Sequence, residues 1–183
     1  MAKRAPPPPP WSVRRDADSL RHAFFVSHVA EDEAEVVQLK AEIEAYSGRG
    51  GRAPLACFLD VQNWLKGNLS GMVIRESLRR SAHMVAWISP AYIATTRGWV
   101  WMELAYAELI ELAMNHGQFD LAHPFIVPVF RGVTVEHLAR TPWLDYWQRS
   151  VVAPHQAHPT SDIARHLVDF HEQEAGRRDE GTS

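Results

Sequence analysis

The stretch HMVAWISPAYIATTRGWVWMELAYAELIEL, residues 83–112, changes period half-way along. Residues 83–89 are a short, continuous apolar run, the pattern of a strand covered on both faces. From Gly98 onward the spacing predicts a helix over 98–112. Wound at about 100° per residue, that helix sets Glu108 and Glu111 about 60° apart, on what reads as an ordinary solvated face. Glu103 falls elsewhere, among Trp99, Tyr106, Ala107 and Ile110. An acid aimed into the aromatic side of a helix calls for a physical reason.

The same alternation extends in both directions. HAFFVSH (22–28), LACFLD (55–60) and HPFIVPVF (123–130) are strand-like, with Pro128 placing the last at an edge or a strand end. EDEAEVVQLKAEIEAY (31–46) carries Val36, Leu39, Ile43 and Tyr46 at three- and four-residue spacing. Acids open it, so it reads as an amphipathic helix with a matched N-terminal dipole. GRGGRAP breaks this helix and lengthens the approach to the second strand. LSGMVIRESLRRS (69–81) predicts a helix with a basic C-terminal end. TSDIARHLVDFHEQEA (160–175) predicts a closing helix capped by Thr160, Ser161 or Asp162. Trp143 and Trp147 stand four apart in TPWLDYWQ (141–148) and are expected to pack on that closing helix.

Apolar strands separated by helices give an α/β fold, a flavodoxin-like doubly wound parallel sheet in a single domain with right-handed crossovers. Its expected span is 21–175. Residues 1–20, with Pro6 to Pro10 favouring polyproline II, read as a proline-rich flexible tail, and 176–183 as a second tail.

A chain of 183 residues has room for one full core. Its 46% hydrophobic and 22% charged residues are those of a globular protein, and a net charge of −3 gives no global pull toward nucleic acid or an anionic membrane. No apolar run approaches the ~20 residues that span a bilayer. The first residues are basic without the apolar h-region of a secretory signal. A single cysteine, Cys57, excludes an intrachain disulfide framework and fits a reducing cytoplasm; inside an apolar strand it is expected to be inert.

In open parallel sheets, ligands bind beyond the carboxyl ends of the strands. Ser27 and His28 follow the first strand, Asp60 the second and Ser89 the third. The loop after Asp60 adds Trp64, Lys66 and Gly67, and a helix presenting Glu103 and Trp99 inward would complete a pocket. Each residue also has an ordinary role: Ser27 and Ser89 as helix caps, Asp60 as a turn residue, Trp64 as a surface anchor. For an isolated inward acid, pairing with a buried arginine such as Arg97 or Arg131 is the commoner role, and Glu103 is open to it. Glycine loops of the GxGxxG and GxxxxGK[ST] types are absent, as is a GxSxG elbow. The ten histidines form no HExxH or Cys/His cluster, so no metal is expected, and His155 and His158 read as loop residues.

Taken together, four boxes resemble the TIR (Toll/interleukin receptor) domain family. They are the aromatic-x-x-Ser-His end of the first strand (Phe24 to His28), the loop Asp60 to Gly71, Ile-Ser-Pro-x-Tyr (Ile88 to Tyr92) and Trp-x-x-x-Glu-Leu (Trp99 to Leu104). The similarity runs over about residues 21 to 135. It implies one of two functions: assembly as a signalling adaptor through the loop after the second strand, or cleavage of the nicotinamide–ribose bond of NAD. The enzymatic members use a glutamate at the position matched by Glu103. A short chain with one such domain resembles the stand-alone bacterial members, as in Thoeris-like antiphage systems. There the product is a cyclic or modified ADP-ribose that a separate effector senses.

The resemblance therefore implies NAD as substrate with no tightly bound cofactor, and Glu103 as catalytic carboxylate. The implied substrate-binding residues are Phe25, Ser27, His28, Asp60, Trp64, Gly67 and Trp99, with Phe25 or Trp64 stacking on a flat base. It also implies homo-oligomers through TIR–TIR contacts, a neighbour's loop finishing the site. Phosphorelay receiver domains share the layout, but they need an acidic pair where this chain has Ser27 and His28 and a late lysine where it has Arg131.

Overall fold

The four apolar runs assemble into one parallel sheet. The computed structural model describes residues 20–59, 71–95, 98–115, 124–139, 141–154 and 156–180. Its strands are β1 (His22–Ser27), β2 (Cys57–Leu59), β3 (Ser81–Ile88) and β4 (Ile126–Phe130). They lie in the order β2-β1-β3-β4, every neighbouring pair parallel. The chain winds outward from β1 in opposite directions, so the switch in strand order falls between β1 and β3. This is the doubly wound arrangement expected. Pro128 sits in β4, at the edge of the described sheet, where a missing N–H is tolerated.

Alternation along each strand divides the core in two. Phe24, Val26, Val85, Trp87, Val127 and Val129 face a layer that includes Val36, Leu39 and Ile43 of α1 (Glu33–Ser47) and Ile163, Leu167 and Val168 of α6 (Thr160–Glu180). Phe25, Met84, Ala86, Ile88, Ile126 and Phe130 face the other. That second layer holds α2 (Gly71–Arg79), α3 (Pro90–Ala94), α4 (Gly98–Met114) and α5 (Val135–Leu138). After α1 the chain turns through Gly50 and Gly51 at φ 75° and 78°, a region that costs side-chain-bearing residues strain. Ser47 then ties the helix end to the entry of β2, donating to the Ile43 carbonyl (2.7 Å) and accepting from the Leu55 N–H (2.9 Å). The closing helix outruns its expected end, continuing through Gly176 to Glu180.

Two expectations are corrected by the packing. Trp143 and Trp147 do not pack on the closing helix; they join the opposite layer, Trp143 edge-on to Tyr92 (5.5 Å between ring centroids) and Trp147 against Phe130 (4.8 Å). Glu111 is not on a solvated face. It is buried, accepting from the backbone N–H groups of Phe125 (2.8 Å) and Ile126 (3.0 Å) and from Arg149 Nη2 (2.6 Å). Glu108 does remain exposed, and accepts from the Tyr146 hydroxyl (2.9 Å).

Cys57 is buried in β2, and burial pushes its thiol up to about 12. A thiolate is the reactive form. The expected outcome is that a thiol-specific chromogenic disulfide leaves Cys57 unmodified at mildly alkaline pH, and labels it only after denaturant unfolds the domain.

Candidate functional site

At the carboxyl end of the sheet, beside the switch point, β1 and α4 bring a hydroxyl and a carboxylate together. Ser27 is the last residue of β1 and is fully buried. Its Oγ donates to Glu103 Oε2 at 2.5 Å, and Tyr92 Oη lies 3.0 Å from the same Oγ. Glu103 is 3% exposed, with Ala107 and Ile110 buried on the same side of α4. Its placement answers the question raised by the sequence: the acid faces the end of the sheet, not bulk water. Arg131, one candidate counter-ion, is committed elsewhere. It pairs with Glu35 (3.0 Å), donates to the His158 carbonyl (2.6 Å) and lies over Trp87. Arg97, the other, lies outside the described residues.

The remaining predicted residues divide by position. Trp99 stands one turn before Glu103 and is 36% exposed, so its indole forms a rim rather than an inward wall. A β-carbon at Gly71 would lie 3.8 Å from that ring, which places the start of α2 beside it. Phe25 is not available to stack on a base. Its ring is fully buried and stacked on Phe58, 5.4 Å between centroids, so it is part of the floor beneath the site. His28 is buried next to Ser27, its Nδ1 donating to the Val26 carbonyl at 3.2 Å. Asp60, Trp64, Lys66 and Gly67 lie outside the described residues, as do the first nineteen residues and His155. Among the described residues, no group of three or more His, Cys, Asp or Glu side chains is placed to hold a metal, and no helix is long and apolar enough to cross a membrane.

A family model for the TIR domain matches residues 24–177. The chain belongs to the TIR domain family. Its fold is similar to that of a metazoan TIR-STING receptor from C. gigas, with a TM-score of 0.53 at 20% identity, over 81% of this chain and 41% of that one. The chain thus spans well under half of that receptor's length, and at this identity the likeness is one of fold. No curated protein matches the sequence.

Within this TIR domain, two residues belong to the site that residue-type reasoning gave no role. Tyr92 is one, and its signal was present in the Ile-Ser-Pro-x-Tyr box. Asp32, at the head of α1, is the other. It accepts from Ser89 Oγ at 2.6 Å, while Ser89 Oγ accepts the Tyr92 N–H at 3.1 Å. Ser89 therefore does cap α3, as one reading allowed, and also joins α3 to the loop after β1.

Burial raises the Asp32 carboxyl above its ordinary 3.8, opposed by the Ser89 hydrogen bond, with the Glu35 charge adding to the rise. A carboxyl raised on folding contributes stability that is full below pH 3.8 and lost as pH climbs through the raised value. Ionised Asp32 is therefore a net cost at neutral pH. Asp32→Asn keeps an acceptor for Ser89 and removes that cost. Thermal melts are expected to show a small gain in Tm at neutral pH that disappears below pH 3.8.

Proposed function

We propose that this TIR domain cleaves the bond between nicotinamide and ribose in NAD, with Glu103 as the catalytic carboxylate. The observation that carries the reading is a carboxylate buried to 3% exposure at the carboxyl end of a doubly wound sheet, its orientation fixed by the Ser27 hydroxyl. That is also the position at which the enzymatic members of the family carry their glutamate.

The chemistry suits a single acid. As the C1′–N bond breaks, its electron pair moves onto the pyridinium nitrogen, and nicotinamide departs neutral without needing a proton. Positive charge grows on the ribose C1′ and ring oxygen, as in glycoside hydrolysis. A carboxylate held beneath the ribose stabilises that charge, and does so more strongly where water is excluded. Ala107 and Ile110 on the helix and Phe25 and Phe58 below supply the apolar surroundings. Water, or a nucleophile within the substrate, then forms the new bond to C1′ and loses its proton. The first gives linear ADP-ribose and the second a cyclic product. In this reading Trp99, at the rim, flanks a flat ring of the substrate, Ser27 and His28 contribute from the end of β1, and Asp60, Trp64 and Gly67 are assigned to substrate binding by the family resemblance alone. A product of this kind fits a signalling or NAD-depleting role in bacterial antiphage defence, in the cytoplasm, with TIR–TIR contacts between copies finishing the site.

The test is incubation of the purified chain with NAD at low and high protein concentration, following nicotinamide and all products by mass spectrometry. Nicotinamide release is expected, steeper than linear in protein concentration if a neighbouring copy completes the site. Product masses separate hydrolysis from cyclisation. No release from concentrated, assembled protein or in infected-cell lysate would overturn the reading in favour of a self-assembling adaptor.

A further inference from the structure

Ser27 Oγ has one proton and two lone pairs. Because the proton goes to Glu103 Oε2, the 3.0 Å contact with Tyr92 can be a hydrogen bond only if the phenol donates. The bonds thus run one way, from Tyr92 to Ser27 to Glu103, and hydrogen bonds aligned in this sense polarise one another. Burial and the Glu103 charge hold the Tyr92 phenol above its ordinary range, so the donor keeps its proton. Tyr92 is itself fully buried, edge-on to Trp143. A phenylalanine would fill that apolar position equally well, so packing alone gives the hydroxyl no purpose. Its backbone is fixed from the other end by Ser89, which caps α3 and is anchored on Asp32.

We propose that Tyr92 is a positioning residue for Glu103, acting through Ser27: its phenol locks the Ser27 hydroxyl toward the carboxylate and so fixes the carboxylate's orientation under the substrate. The kinetic consequence rests on the NAD-cleavage reading; the geometry itself does not.

Two measurements test this, and the first needs no activity. Infrared difference spectra, wild type minus Glu103→Gln, isolate the Glu103 carboxylate band. The same difference taken in a Tyr92→Phe background is expected to show that band displaced. Second, Tyr92→Phe is expected to lower kcat for nicotinamide release about tenfold, the rate equivalent of one hydrogen bond, with KM within about twofold. In a Ser27→Ala background it should lower kcat no further, because its effect passes through Ser27. Tyr146→Phe removes a different hydroxyl, partly buried and bonded to another glutamate of α4, Glu108, and should leave band and kcat unchanged. An unmoved carboxylate band in Tyr92→Phe overturns the proposal, as does an equal kcat loss with and without Ser27. If the wild type releases no nicotinamide even when concentrated and assembled, the NAD reading fails while the infrared result still decides the role of Tyr92: a displaced band supports it and an unmoved band overturns it.

Discussion

Glu103→Gln is expected to lower nicotinamide release by about 10³-fold while leaving Tm within a few degrees of wild type. Glutamine has nearly the shape of glutamate, and its amide oxygen can still accept from Ser27 Oγ. What it lacks is the negative charge that stabilises the forming oxocarbenium ion. Removing a charge that is 3% exposed also removes its desolvation penalty, so stability should not suffer. Stopped-time mass spectrometry of products reads the first effect and calorimetry the second. A Glu103→Gln variant that retains wild-type turnover would leave Glu103 a structural acid in a scaffold. A variant that loses turnover only because it unfolds would show itself in the melt.

Glu111→Ala is expected to cost about 3–5 kcal/mol of stability. Three donors converge on this carboxylate: two successive backbone N–H groups at the start of β4, from Phe125 and Ile126, and Arg149 Nη2. Arg149 also bonds the Ile126 carbonyl (3.3 Å) and lies over the Tyr146 ring. Truncation leaves a largely buried guanidinium and two N–H groups without their acceptor. For a domain of this size, the loss corresponds to a fall in Tm of about 6–20 °C. Glu108→Ala, one turn away and exposed, is the contrast and should cost under about 1 kcal/mol. Equal effects from the two would mean that the clamp on β4 carries no special weight.

Much of the architecture was legible because it rests on short-range periodicity. Ser81–Ile88 is buried at every position and reads as an unbroken apolar run. The register of α1 puts Val36, Leu39 and Ile43 inward, as their spacing requires. The candidate site was legible in part, because Ser27 and Glu103 sit in boxes 76 residues apart that the family resemblance ties to one crevice. Periodicity also predicted correctly that Glu103 points away from Glu108.

Where the reading failed, the missing information was what covers a given face. Helical spacing placed Glu111 about 60° from Glu108, but Arg149 and the start of β4 come from segments that no local pattern links to it. The same applies to Trp143 and Trp147: an apolar pair four apart demands cover without saying which side of the sheet gives it. Phe25 was expected to stack on a flat base; it shares a sheet face with Ser27, but the ring lies one step down the strand, fully buried against Phe58 in the neighbouring strand. The sequence by itself determined the order of the four strands and the main helices, the inward face of α1, and the acid that departs from its helix's polar side. Only the tertiary structure decided which acids are buried and by what, and that Tyr92, Ser27 and Glu103 share hydrogen bonds, because those contacts depend on distances between elements that sequence spacing does not encode.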